Sequence, residues 1–308
     1  MKLVLFDGPP GQARPGLLLD GGVVDVSDVV TEGSKYPQRT MDLLIDEFDE
    51  IRPALEEAAR GPVIALDQAC LRPPLPRPTK ILCCIGNYWE HQKRETRDLN
   101  LFLKSPDAVV GPGDVIKLPP WTDPYVFQHE AELAIVFKGP SKDVAQADWQ
   151  SAVFGYTAMI DVSARADGRR TWRAGSWMGK SFDTFAPLGP CVVTADELTE
   201  PNNLAVKFWN DGQLRHDYNT DDMEHRVPEL VEFATGIMTM NSGDILSCGT
   251  NHEGRGALQD GETVEIEIER IGRMSLTVSD PLRRTWERGV YRGEGSTYRG
   301  AGLGPRPS

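Results

Sequence analysis

The chain is short of positive charge. Its 308 residues carry 33 Lys and Arg against 46 Asp and Glu, a formal net charge of −13. Such a surface repels phosphate backbones and anionic headgroups, which excludes a general nucleic-acid or anionic-membrane binder. It leaves room for a small anionic substrate, because a local cationic site can sit inside an acidic surface. Cysteine is scarce too. Cys70, Cys83, Cys84, Cys191 and Cys248 form an odd set with no zinc-site spacing, which reads as reduced, mostly buried thiols of a cytoplasmic protein. No window approaches the ~20 apolar residues of a membrane span. The opening MKLVLFDGPPGQ has no long apolar run after its Lys, so no signal peptide is expected. Repeats at solenoid periods are also missing. The length suits one large domain with a smaller one.

Against these absences stands one stretch, QHEAELAIVF at 128–137. Successive strand side chains alternate between faces, so Glu130 and Glu132 share one, which continues as Ala134 and Val136. The other face carries His129, Ala131, Leu133, Ile135 and Phe137. Both faces turn apolar within a residue or two of the acids, as in a strand buried on both sides. Two carboxylates there repel each other and lose hydration, and no Lys or Arg lies within 128–137 to offset them. A bound cation would. Taken alone, an E-x-E is more often a wet strand end.

The rest divides by composition. Residues 1–71 read as a small α+β unit: a strand at MKLVLFD, a turn-rich break, and a hairpin around Asp20-Gly21-Gly22. A helical pattern then runs over about 40–60, through Leu43, Leu44, Phe48, Ile51, Leu55 and Ala58, with Pro53 expected to break or kink it. RPPLPRP at 72–78 reads as a linker over 72–79. Residues 80–285 are mainly β, with a short polar helix expected to start at Asn87 as its cap, and further helices near 143–151 and 227–240. Residues 286–308, rich in Gly, Arg and Ser, read as a tail. The β-run FGYTAMIDVS ends on a third acid, Asp161. Considered singly, Asp161 is as well explained by a turn or a helix cap. Together the three carboxylates make a hard-oxygen set suited to Mg²⁺, Mn²⁺ or Ca²⁺ rather than zinc.

Seven blocks in order carry a family resemblance: KILCCIGNYWEH, FLKSPDAVVGPGDVIKLP, HEAELAIVFKG, GYTAMIDVSARAD, GKSFDTFAPLGPCVVT, MNSGDILSCGTNHEG and LQDGETVEIEIERIGRM. Over about 80–280 the sequence resembles the fumarylacetoacetate hydrolase family, as a two-part bacterial-type member. The resemblance implies a mixed β-sandwich roll after a small α+β N-terminal domain, and a homodimer. It implies Glu130, Glu132 and Asp161 as metal ligands, usually for Mg²⁺, with Mn²⁺ or Ca²⁺ as alternatives. Lys180 would hold a substrate carboxylate or an acid ligand, Thr250 would contact substrate, and Tyr88 and Lys104 would line the pocket. His91 would activate water with an acid partner. The family commonly places that acid three residues on, where this chain has Arg94. Glu95 lies one later and on the same face of a helix, with Glu90 as the second candidate. Other departures, Ile160, His216 and Asn251-His252-Glu253, are expected at the pocket rim. The implied reaction is hydrolysis of a C–C bond in a 2,4-diketo acid, an acylpyruvate or a diketo sugar acid, through a metal-stabilised enolate. Oxaloacetate-type decarboxylation and keto–enol isomerisation use the same site, and a silent metal-binding relative is the remaining alternative.

Overall fold

The alternating and apolar runs of the sequence become two packed sheets. The structure, a computed structural model, describes residues 1–8, 12–30, 36–90, 92, 94–122, 126–165 and 177–286. The large sheet has eleven strands. Its main path runs Gly22–Asp25, Gln12–Leu19, Lys2–Gly8, Ala186–Thr194, Val153–Ile160, Ala131–Phe137, Ile245–Ser247, Ile81–Cys84 and Leu101–Lys104. Ile245–Ser247 runs parallel to Ile81–Cys84, whereas Ala131–Phe137 is antiparallel to both its neighbours. The smaller sheet of five strands includes Ala205–Asn210, Thr263–Ile268 and Gly272–Ser279. These three pack on the middle strands of the large sheet, which gives the expected mainly β sandwich. Its interior is apolar on both sides: every residue of Ala131–Phe137 and of Val153–Ile160 is buried. Among the described residues, no helix is long and apolar enough to cross a membrane.

Residues 1–71 do not close a sheet of their own. The hairpin at Asp20-Gly21-Gly22 forms as expected, joining Gln12–Leu19 to Gly22–Asp25, but Lys2–Gly8 pairs onward with Ala186–Thr194 through Lys2↔Val193. The proline-rich 72–79 segment is strapped down. Pro73, Pro74 and Leu75 are buried, and the Arg72 guanidinium grips the Asp7 carboxylate. Prolines that forbid helix here supply a rigid apolar contact instead.

Two helix expectations need correction. The 40–60 pattern does divide, into Pro37–Asp46 and Phe48–Ala58, but at Glu47. Pro53 sits inside the second helix. The carbonyl deprived of a donor there belongs to Asp49, an exposed residue, while Phe48, which begins the second helix, is buried edge-on to Phe154 at 5.1 Å. The second correction concerns Asn87. Among the described residues, none of 87–100 is helical. The Asn87 amide donates to the carbonyls of His225 and Cys248 and accepts from the His225 N–H, so it ties loops together and caps nothing. Residues 287–308, most of the expected tail, lie outside the described residues, whereas Trp286 packs edge-on against Phe127.

Candidate active site

Antiparallel pairing assembles the acids. Ala131 faces Ile160, so Glu130, just before one strand, meets Asp161, just after the other, and the Asp161 N–H donates to the Glu130 carbonyl at 2.8 Å. Glu132 follows as the second residue of its strand. Ligand oxygens of Glu130, Glu132 and Asp161 all lie within 4.8 Å of one another, and all three residues are buried. Glu130 and Glu132 open on a cavity of about 200 Å³, also lined by Cys84, Phe102, Lys180, Thr250 and His252. That is smaller than a drug-sized pocket and matches a small metabolite.

Cations gather on one side of it. The Lys180 ammonium donates to Glu130 Oε2 at 2.5 Å and to Asp161. Lys104, wholly buried at the end of Leu101–Lys104, donates to the other Asp161 oxygen. Arg255 Nη1 reaches Glu130 Oε1 at 2.8 Å, and Arg165 reaches the same oxygen. Burial works against charge on Glu130, but Lys180, Arg165 and Arg255 outweigh it and hold its carboxyl well below the usual carboxylate range. Glu132 is the opposite case. Burial first, then Asp161 and Glu130, push its carboxyl well above that range, and its close partner is the Ser247 hydroxyl. Burial opposes the charge on Lys180 too, yet Asp161 and Glu130 keep its ammonium above the ordinary lysine value.

The donor set fits a hard divalent cation. Three buried carboxylates, one still resisting ionisation, are what such an ion neutralises. Glu130, Glu132 and Asp161 would hold it.

The other expected residues scatter. Thr250 lines the cavity and is buried. Lys104 stands behind Asp161. Tyr88 is buried against Tyr218, ring centroids 5.1 Å apart, and does not line the cavity. His91 lies outside the described residues. Glu95 is exposed, and none of the described residues of 87–100 is helical. Arg94, in the family's acid position, grips Glu224. Ile160 and His216 are fully buried and Asn251 nearly so, and none of the three lines the cavity, whereas His252 does. His216 Nε2 lies 3.1 Å from His129 Nδ1, and burial pushes both imidazoles down, His216 to about 3, so the pair is neutral. Arg165, Arg255 and Ser247 were not foreseen. The signal for Arg255 was a run of polar residues, NHEGR, three residues beyond a buried strand.

Comparison with known proteins agrees with this geometry. Residues 80–279 match the fumarylacetoacetate (FAA) hydrolase C-terminal family description. The chain belongs to the fumarylacetoacetate hydrolase family. A maleylpyruvate hydrolase from Sphingobium sp. SYK-6, solved in complex with manganese(II) and pyruvate, superposes with a TM-score of 0.81 at 33% identity, covering 91% of this chain and 99% of that one. Oxaloacetate tautomerase FAHD2B, mitochondrial, of Bos taurus is 32% identical over 292 residues, 88% of this chain and 90% of its own. The maleylpyruvate hydrolase of Aquipseudomonas alcaligenes is 31% identical over 297 residues, 90% and 99%. Relatives in this family are thus enzymes of hydrolase and tautomerase type, which share one fold and differ in reaction.

Proposed function

We propose that the protein is a divalent-metal-dependent hydrolase that cleaves a C–C bond in a 2,4-diketo acid of the acylpyruvate type. The observation that carries this is the buried Glu130–Glu132–Asp161 set, of which Glu130 and Glu132 line a small cavity with Lys180 and Thr250. When bound, Mg²⁺ or Mn²⁺ supplies positive charge against the enolate oxygen that develops as the bond breaks. Lys180 offers its ammonium to the substrate's terminal carboxylate, a charge-assisted hydrogen bond that orients the keto acid. Thr250 supplies a hydroxyl to a neighbouring oxygen. Phe102, stacked on Trp177 at 4.6 Å, gives the acyl end an apolar wall that excludes bulk water. A base in the same cavity must take one proton from the attacking water. The relatives supply a second reading, in which the same pocket interconverts the keto and enol forms of oxaloacetate. Pyruvate release from a panel of acylpyruvates, set beside oxaloacetate tautomerisation, separates the two. With Mg²⁺ or Mn²⁺, pyruvate release is expected and EDTA abolishes it. Full turnover in EDTA, or tautomerisation without hydrolysis of any acylpyruvate, defeats the hydrolase reading.

A further inference from the structure

The cavity contains a hydrogen-bonded pair that the metal ligands do not use. Glu90, 4% exposed, accepts at Oε1 from the His252 backbone N–H at 3.0 Å and from His252 Nδ1 at 2.5 Å. A carboxylate against Nδ1 keeps the proton there and leaves Nε2 with its lone pair. His252 lines the cavity, with Nε2 3.8 Å from Glu130 Oε1. Among the described residues its imidazole is the only one doing so. The arrangement is held on both arms by Asp222, whose Oδ2 accepts from the Glu90 N–H at 3.1 Å and from the Asn251 amide at 3.0 Å, while its carbonyl accepts from the Trp89 N–H at 3.0 Å. Glu90 is set at φ 55°, left-handed backbone that strains a non-glycine residue and persists where the surroundings over-determine it. Meanwhile Arg94 is committed to Glu224 and to the Tyr88 carbonyl, and Glu95 faces solvent.

We propose that His252 is the base that takes the water proton and that Glu90 is its positioning residue; this rests on the hydrolase reading above. Water oxygen bonds to the acyl carbonyl carbon while one water proton passes to His252 Nε2. The bond between that carbon and the pyruvyl methylene then breaks, and its electron pair stays on the methylene as pyruvate enolate. His252 returns its proton to the methylene carbon, giving pyruvate, and the carboxylic acid released ionises with loss of the second water proton. No oxidant or reductant enters.

The test compares wild type, His252→Gln, Glu90→Gln and His91→Gln with Mn²⁺. It measures acylpyruvate kinetics, Mn²⁺ affinity by calorimetry, and ring tautomers after ¹⁵N labelling of the five histidines. His252→Gln is expected to lower kcat by about 10²–10⁴-fold, with KM and Mn²⁺ affinity within roughly threefold. Imidazole should restore part of the turnover of His252→Ala. Glu90→Gln should lower kcat by about 10–100-fold and shift the tautomer of the ring missing from His252→Gln. Retention of kcat in His252→Gln, with the loss falling on His91→Gln, overturns the proposal, as does an Nε2-protonated His252 in wild type. Should His252→Gln not fold, His252→Ala identifies the ring instead, and Glu90→Gln and the wild-type tautomer decide. Should wild type tautomerise oxaloacetate without releasing pyruvate, the hydrolase reading falls by itself. The variants are then judged on exchange of the oxaloacetate C3 proton, where loss supports His252 as the base and retention overturns it. A wild type with neither activity defeats both.

Discussion

Glu130 and Glu132 stand two residues apart on one face and live in opposite surroundings. Around Glu130 are three cationic side chains, Lys180, Arg165 and Arg255. Around Glu132 are the Ser247 hydroxyl and two other acids. One carboxylate is ionised and already balanced, whereas the other resists ionisation. The pocket is therefore half made before a cation arrives, and the ion completes the Glu132 half.

That contrast can be broken most forcefully by neutralising each acid in turn. In Glu130→Gln three cations face an amide, and breaking one side of a buried ion pair costs about 3–5 kcal/mol. A clear fall in Tm without added metal is expected. In Glu132→Gln a repulsion is removed, so metal-free Tm should hold or rise while Mn²⁺ affinity falls by more than about 100-fold. Equal Tm losses in scanning calorimetry would erase the distinction. A carboxylate outside the triad sharpens it. Glu224 accepts from Arg94 and from the Arg97 backbone and guanidinium; burial opposes its charge, but these bonds bring its carboxyl down to about 2. Its stabilisation is present above the unfolded value near ~4.3 and is lost as pH falls toward about 2. Urea titrations at pH 6 and pH 3 should show Glu224→Gln costing roughly 1.5–3 kcal/mol at the higher pH and about half of that at the lower. A loss independent of pH would mean packing and not charge. The smallest effect is in the pH dependence of metal binding. A cation must ionise Glu132, so Mn²⁺ affinity should rise with pH by up to ~10-fold per unit, about 1.4 kcal/mol, with close to one proton released. In metal-free protein the sign reverses: the neutral carboxyl is the stable form, and stability falls as pH rises through its raised pKa. Calorimetry in two buffers of different ionisation enthalpy counts the proton, and a count of zero contradicts the raised Glu132.

The acids were legible because a strand's two-residue period puts Glu130 and Glu132 together whatever the topology. Asp161 needed a family resemblance, since only the pairing Ala131↔Ile160 brings it near. The cation shell was less legible still. Arg165, Arg255 and Lys104 come from three separated segments, and no local pattern says that they converge on two carboxylates. The failed helix at Asn87 shows the limit from the other side. Its capping residue and polar run are sound local signals, but the Asn87 amide has three tertiary partners that a cap would forfeit. Helix 48–58 makes the same point through Pro53, a local breaker that the helix carries on its exposed face.

The strand Lys2–Gly8 has a consequence for synthesis. Its partner Val193 leaves the ribosome about 190 residues after Lys2, since pairing joins Lys2↔Val193. An apolar strand with a bare edge is a hazard for that whole interval. The short strand Cys70–Arg72 pairs with the same strand through Leu5↔Arg72, Phe6↔Leu71 and Asp7↔Cys70, and it emerges far earlier. It acts as a bandage on the nascent chain, covering Leu5–Asp7 while Lys2 and Leu3 wait for Val192 and Val193. The Arg72–Asp7 pair fastens that bandage, so one ion pair of the finished fold also guards the strand during the roughly 10–40 s of synthesis before Val193 emerges.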